Sequence, residues 1–458
     1  METFNLIMRQ QQIAAEKSRE MDALGKRDYF PYLAEESKKF LEDKTPNKKI
    51  ILIPGLRGIG KTTLLHQLYY HLLNVQKINS NQVFFFTMDE MSGFETDMKE
   101  IISTIERDIT SKPLAMEKGK MIFILDEIHY ANDWALNIKL LYDQCYDVLI
   151  IGTGSSSLKL NESADLARRR VMKPIYPFSL KEYLKLNNYP VGESFPLKDV
   201  LMGRIKPEDL KELWTKNLQS IAYIRNHGIL EDYLIRGGFP FRKDEAMESI
   251  FDLISKVIHK DIEETMENVD SLMVEKLVNY LAISRAGETS AEKASNKLGI
   301  SKPSILKYLD LLEKAELVFS VKPFARSSVV VRSPTKYYFA SSSLKASILY
   351  RLMPDIRRSE TIGELLESSI FSSVRNNLAL SGIDFQIFYD PDGCDFVIQF
   401  ENGMTAAIEV KKGKASSSQI NKTMAKADAR VGIVLSSSNE VRSDGKLIYV
   451  PRELFLVM

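Results

Sequence analysis

Four short, almost wholly apolar runs mark the first part of the chain, at residues 50–53, 83–88, 121–125 and 148–152. Between them, apolar residues recur at three- and four-residue spacing over 62–73, 98–109 and 135–144. Brief continuous apolar strands alternating with amphipathic helices predict a parallel sheet covered on both faces, because a strand buried on both sides needs no polar alternation. Upstream, residues 1–48 are polar and helical in pattern, with Phe30, Tyr32, Leu33, Phe40 and Leu41 spaced along one stripe before the linker KTPN at 44–47.

The pattern changes after about residue 190. Helical periodicity dominates to about 280, interrupted by RGGFP at 236–240. From 266 to about 345 the spacing predicts three helices and a hairpin. ETSAEKA (288–294) opens a helix capped by Thr289 or Ser290, LGIS (298–301) is a turn, and Pro303 stands in the first turn of the next helix. That helix carries Ile305, Leu306, Leu309 and Leu312 on its expected buried face. Residues 317–323 and 329–331 are expected to form a wing, with 336–339 as a further strand, which is a helix-turn-helix followed by a hairpin. The last hundred residues return to α/β: a helix over 364–378 and strands over 385–389, 396–400, 405–410, 431–435 and 447–450. The expected organisation is an amino-terminal helical segment (1–48), a parallel α/β domain (49–190), a helical lid (191–265), a winged helix (266–345) and a second α/β domain (346–458).

The length of 458 residues requires several domains. With 44% apolar and 27% charged residues and a formal net charge of +1, nothing pulls the chain as a whole toward nucleic acid or anionic lipid. Two isolated cysteines, Cys145 and Cys394, exclude a zinc ribbon and a disulfide scaffold and fit a reducing compartment. The start, METFNLIMRQQQ, is not a secretory signal, and no apolar run is long enough to span a bilayer. A cytoplasmic location away from the membrane is the expectation.

The chemistry begins at GLRGIGKT (55–62), which fits the GxxxxGK[ST] pattern between an apolar strand and a helix. A loop of Gly55, Arg57, Gly58, Ile59 and Gly60 turns its backbone N–H groups onto phosphates, with Lys61 as a point charge for the β and γ phosphates. Thr62 offers its hydroxyl to Mg²⁺, and the helix that follows, through Thr63, aims its positive end at the anion. MIFILDE (121–127) supplies the second half. Asp126 at a strand's carboxyl end can hold Mg²⁺, and Glu127 is the natural base for an attacking water. One strand, 83–88, lies between the two motifs, as in ATPases with a catalytic glutamate. Strand 148–152 runs into TGSSS, where a polar side chain can touch the γ-phosphate; Ser155 is the expected residue, with an ordinary turn as the alternative. Among Arg168, Arg169 and Arg170, Arg169 is the candidate for stabilising transition-state charge, in cis or from a neighbouring copy; a solvated basic turn is the alternative. Self-association is left open.

Two further constellations lie downstream. In the winged-helix pattern, Lys302, Ser304, Lys307, Arg326 and Arg332 are candidate DNA contacts, against the alternative of a packing module, since Asp310 and Glu313 dilute the charge of the same helix. In the last domain, Asp395 follows the turn DPDG, and Glu409 and Lys411 share one side of a strand by its period of two. With Glu367 on the preceding helix they form a D…ExK set in which two carboxylates can share a divalent metal and a lysine can steady a phosphorane. The arrangement resembles that of PD-(D/E)xK nucleases and Holliday-junction resolvases; a binding-only version of that fold is the alternative.

The stretches GLRGIGKTTL, IFILDEIHYANDW, IIGTGSSSLKL, LARRR…YPFSLKEYL and LIRGGFP together resemble bacterial and archaeal AAA-type ATPases that end in a nuclease-like domain of unknown function. The resemblance spans nearly the whole chain. It implies ATP as the nucleotide, with ADP as product, and a fold of α/β class: a P-loop NTPase parallel sheet core, a helical lid, a winged helix and a C-terminal PD-(D/E)xK-like α/β domain. Two functions follow from these residues. In one, ATP hydrolysis with Mg²⁺ is coupled to a DNA-associated, nucleolytic domain. In the other, the chain is a nucleotide-dependent switch or scaffold whose distal domains only bind a protein or nucleic-acid partner.

Overall fold

The computed structural model describes residues 2–45, 47–94, 96–131, 133–154, 166, 168–263, 269–285, 290–324, 334–352, 359–411 and 418–458. The chain divides into two compact units, Met1–Tyr176 and Pro177–Met458.

The first unit is built on β1 (Lys48–Pro54), β2 (Val83–Thr87), β3 (Met121–Asp126), β4 (Val148–Gly154) and β5 (Arg170–Met172), all parallel, in the order β2-β3-β4-β1-β5. The apolar runs were legible because β3 and β4 are buried at every position. Helices α3 (Lys61–Asn74), α4 (Met88–Gly93), α5 (Met98–Thr104) and α6 (Trp134–Gln144) accompany the sheet. The helix expected over 98–109 keeps α-geometry only to Thr104 and then widens into a π turn over Ile105–Ile109.

The amino-terminal helices α1 (Glu2–Asp22) and α2 (Phe30–Glu42) belong to this unit. Ile7 of α1 lies in the same core as Ile50, Phe84 and Phe123. The glutamines that make this segment look merely polar have a task. β2 is an edge strand, and Gln11 pairs with its backbone in both directions, accepting from Phe85 N at 2.9 Å and donating to Phe85 O at 2.8 Å. Gln10 accepts from Thr87 N at 3.2 Å. Side-chain amides thus occupy positions where a neighbouring strand would otherwise pair.

The second unit centres on an eight-stranded sheet in the order β12-β13-β11-β10-β9-β8-β6-β7. Its strands are β6 (Val318–Pro323), β7 (Lys336–Phe339), β8 (Phe385–Tyr389), β9 (Phe396–Phe400), β10 (Thr405–Val410), β11 (Val431–Ser436), β12 (Arg442–Asp444) and β13 (Leu447–Pro451). Around them, α7 (Leu180–Leu186) and α8 (Ile229–Arg236) hold the PFSLKEYL and GGFP runs. Ser179 and Glu182 form a capping box, Tyr233 Oη donates to Phe178 O at 2.9 Å, and Phe178 N donates to Gly238 O at 2.9 Å. The two runs are therefore halves of one packing joint.

Helices α9 (Ser271–Ile283), α10 (Ala291–Leu298) and α11 (Lys302–Lys314) follow, α10 capped by Ser290 and α11 by Ser301. The buried face of α11 differs from expectation: Ile305, Tyr308, Leu309, Leu311 and Leu312 are buried, while Leu306 is 50% exposed. The hairpin also differs. β6 pairs antiparallel with β7 and, through Lys322 and Pro323, parallel with β8, so these strands extend the carboxy-terminal sheet. Residues 329–331 of the expected wing lie outside the described residues. Helix α12 (Ser342–Leu352) is buried along most of its length, Lys345 included, which donates to Glu364 Oε2 at 2.8 Å. Then α13 (Ser359–Leu380), β8, β9, β10, α14 (Ser418–Ala427) and β11 run in succession: an antiparallel three-strand meander, then a helix leading to a strand parallel to the last. β13 and the short helix α15 (Arg452–Leu456) close the chain.

Candidate functional sites

β1 leads into the glycine loop, and α3 starts at Lys61. Gly58 and Gly60 have φ of +75° and +90°, conformations that strain any L side chain. At Gly55 an added Cβ would lie 2.5 Å from Ile175 O, so close approach, not φ, excludes a side chain there. Lys61 is 4% exposed, and its Nζ donates back to Gly55 O and Leu56 O at 3.0 and 3.1 Å. The loop is thus closed on its own lysine, beside the unpaired N–H groups of the first turn of α3.

Thr62 Oγ1 donates to Asp126 Oδ2 at 2.7 Å, joining the loop to the end of β3. The other carboxyl oxygen of Asp126 accepts from Thr153 Oγ1 at 2.5 Å, and that hydroxyl accepts from Glu127 N at 3.0 Å. Burial pushes the Asp126 carboxyl above the usual carboxylate range, with Glu127 adding to the rise, while Thr153, Thr62 and Lys61 oppose it. An acid in this setting gains from an added cation, so Thr62 and Asp126 fit a Mg²⁺ ion.

Glu127 has φ +52° and ψ +50°, uncommon for a non-glycine residue. The turn places Oε1 3.6 Å from Lys61 Nζ and Oε2 3.3 Å from His129 Nδ1. The His129 ring packs on Tyr130 at 4.4 Å, and Tyr130 Oη accepts from Arg57 Nη2 at 3.1 Å. Arg57 of the loop is thus tied to the segment after β3.

The structure brings Gly55, Arg57, Gly58, Ile59, Gly60, Lys61, Thr62 and Thr63 together with Asp126 and Glu127. Ser155 lies outside the described residues. The polar residue found at the strand's end is Thr153, fully buried, because β4 continues two residues past Gly152. Arg169 is not brought to its own chain's loop. β5 starts opposite Ile50, near the entry end of β1, and Arg169 pairs with Asp143 at 3.4 Å and lies 5.5 Å from the Tyr142 ring. Arg27 was not expected: it donates to Ile59 O and Tyr176 O, both at 2.8 Å, and braces the loop from the segment between α1 and α2. No spacing rule marks such a residue.

In the second unit, Asp395 stands opposite Glu409 when the β9–β10 register is continued by one pair beyond Phe396 and Ile408. Asp395 Oδ2 accepts from Val410 N at 2.8 Å, and Lys411 Nζ lies 2.5 Å from Glu409 Oε1. Glu409 is 5% exposed, and its Oε2 is buried with no hydrogen-bond partner among the described residues. Glu367 accepts from Tyr338 Oη at 2.6 Å, with Lys336 Nζ 3.8 Å away. Burial, then Glu367, then Glu409 push the Asp395 carboxyl up to about 7, so the three acids sense one another. Yet among the described residues no three His, Cys, Asp or Glu side chains group as a metal would require. The pair Asp395 and Glu409, with an orphaned carboxylate oxygen, still fits a divalent cation.

On α11, Lys302 and Lys307 are exposed, whereas Ser304 is hydrogen-bonded to Ser301 within the helix cap. Arg326 and Arg332 lie outside the described residues.

A profile described as "AAA domain" matches residues 47–184, and one described as "Domain of unknown function (DUF8612)" matches residues 228–353. The chain is 32% identical over 443 residues to the uncharacterized protein MJ1637 of Methanocaldococcus jannaschii, covering 94% of this chain and 89% of that one. A second protein of the same organism, MJ1544, is 23% identical over 73% of this chain and 68% of its own length. Among solved structures, the ORC2 protein of Aeropyrum pernix (ADPNP–ADP complexes) superposes loosely, with a TM-score of 0.35 and 13% identity over 72% of this chain and 94% of that one. Among the described residues no helix is long and apolar enough to cross a membrane.

Proposed function

This chain belongs to the family of AAA-domain P-loop proteins that includes MJ1637, and we propose that it hydrolyses ATP with Mg²⁺ and couples that turnover to a DNA-associated carboxy-terminal domain. The observation that carries the first half is the junction of Thr62, Asp126 and Thr153, with Glu127 turned toward Lys61. In this reading the loop amides and Lys61 hold the β and γ phosphates. Thr62 and Asp126 would hold Mg²⁺, which would draw charge from the phosphate oxygens. Glu127 takes a proton from the water that attacks the γ-phosphorus, and ADP leaves with the bridging oxygen. Thr153 keeps Asp126 aligned and fixes the backbone of Glu127.

The second half is supported by the helix–meander–helix–strand succession and by Asp395 facing Glu409 beside Lys411. With exposed Lys302 and Lys307 on α11, these favour nucleic acid as the partner and phosphodiester cleavage as the chemistry. The alternative, a nucleotide-dependent switch that binds without cutting, is favoured by one observation: each of the three acids is already engaged by a neighbour. The test is phosphate release from ATP by the purified chain with Mg²⁺, alongside a panel of plasmid, branched and single-stranded DNA with and without ATP and Mn²⁺. Absence of phosphate release would remove the ATPase reading. Intact DNA under every condition would remove cleavage and leave the switch.

A further inference from the structure

β7 lies at the end of the eight-stranded sheet farthest from β12, yet two of its four residues engage the acid cluster. Lys336 and Tyr338 are two apart and so share a face of the strand. The Tyr338 ring is 1% exposed, stacked on Phe371 at 4.7 Å and packed near Phe396 at 5.5 Å, which fixes where its hydroxyl points. That hydroxyl donates to Glu367 Oε1 at 2.6 Å, and Lys336 Nζ is 3.8 Å from the same oxygen. Burial raises the Tyr338 phenol far above its ordinary range, so it stays a donor. Lys336 also lies 4.8 Å from the Tyr389 ring and lowers the cost of a charge on Asp395. One carboxylate oxygen therefore carries both partners from β7, while buried Glu409 Oε2 carries no hydrogen bond among the described residues.

We infer that Lys336 and Tyr338 act as a clamp that holds Glu367 away from a cation site formed by Asp395 and Glu409, and thereby set that site's affinity for a divalent cation. The inference rests on the proposed cation-holding role of Asp395 and Glu409. A cation entering beside these acids meets the repulsion of the Lys336 ammonium, and it recruits Glu367 only if the Tyr338 hydrogen bond opens. β7, read from the sequence as a further strand beside the wing, is thus a regulator of the acid site, and a partner that moves it changes the site's charge.

Mn²⁺ titration of the full chain, read by calorimetry or electron paramagnetic resonance, tests this without relying on cleavage. Lys336→Gln is expected to bind Mn²⁺ on the order of tenfold more tightly than the unaltered chain, the size expected for removing a unit charge several ångströms from a divalent ion in a half-solvated site. Tyr338→Phe moves affinity the same way by a smaller factor. Lys336→Arg, which keeps the charge, restores the original affinity. Adding Glu367→Gln to Lys336→Gln cancels the gain, because it removes a negative charge lying beside the positive one that Lys336→Gln removed. Equal or weaker binding in Lys336→Gln would overturn the clamp while leaving the cation site standing. If Asp395→Asn and Glu409→Gln bind Mn²⁺ as the unaltered chain does, or if neither the unaltered chain nor Lys336→Gln binds it, both the site and the clamp fall.

Discussion

In the first unit, Lys61 opens the helix that follows β1, the Asp126–Glu127 pair stands at the end of β3, and the acid at the centre is held by neutral hydroxyls, Thr62 and Thr153. In the second unit, Glu367, Asp395 and Glu409 are each engaged by an ammonium, a phenol or a backbone amide. Burial and a neighbouring acid raise the carboxyl of Asp126 in the first site and of Asp395 in the second, but only the second has ammonium and phenol partners on its flanking acids. Sites of similar residue content thus differ in readiness. In the proposed reading the first takes a nucleotide with its metal, and the second binds a cation more tightly once Glu367 is released from its partners.

The largest effect that would sharpen the contrast is in the glycine loop. Lys61→Ala removes a point charge from the phosphates and leaves the loop carbonyls of Gly55 and Leu56 unpaired. ATP binding, followed with a fluorescent analogue, should weaken by on the order of a hundredfold or more. Binding within a fewfold of the unaltered chain would break the picture of this site.

The acid cluster should show its burial and the mutual repulsion of its carboxyls through pH. The Asp395 carboxyl is raised to about 7 in the fold, above its ordinary unfolded value. The folded chain therefore binds this proton more tightly than the unfolded chain, and stability falls as pH rises from about 4 through 7. Asp395→Asn removes that dependence. The variant should melt higher than the unaltered chain at pH 8, by about 1–3 kcal/mol, with the difference vanishing at pH 4. A difference of opposite sign, or one that does not change with pH, would contradict the assigned environment.

The smallest effect concerns the edge strand. Gln11→Ala leaves the Phe85 N–H and C=O without their side-chain partners, and urea unfolding should register a loss of about 1–2 kcal/mol. No loss would mean that water satisfies the edge equally well.

The two sites also differ in how far they could be read from the chain. GLRGIGKT and ILDE are local patterns whose geometry is dictated by a strand, a tight loop and a helix, so residue type and spacing nearly determine placement. Thr153 was one step from legible: the run 148–152 is apolar, but the strand continues to Gly154, and the polar residue that matters lies inside it. Arg27 and Gln11 act through backbone groups distant in sequence, and nothing in their spacing distinguishes them from solvated side chains. The strands at 385–389, 396–400 and 405–410 were readable to the residue, and period-two alternation was enough to put Glu409 and Lys411 on one side. What escaped was the company they keep. Residues 317–323 and 329–331 read as a wing and 336–339 as a further strand; strand neighbours are specified by cross-strand packing, so no spacing showed that β6 also pairs with β8 or that Lys336 and Tyr338 of β7 meet Glu367.

In the proposed mechanism Asp126 and Glu127 divide the work, one holding the metal and the other activating water. The direct measurement is ATP binding and steady-state ATP hydrolysis by Glu127→Gln beside the unaltered chain at equal Mg²⁺. The account predicts nucleotide affinity within a fewfold and turnover lower by about 10²–10⁴-fold, the range for losing a positioned general base. Turnover equal to that of the unaltered chain would contradict it.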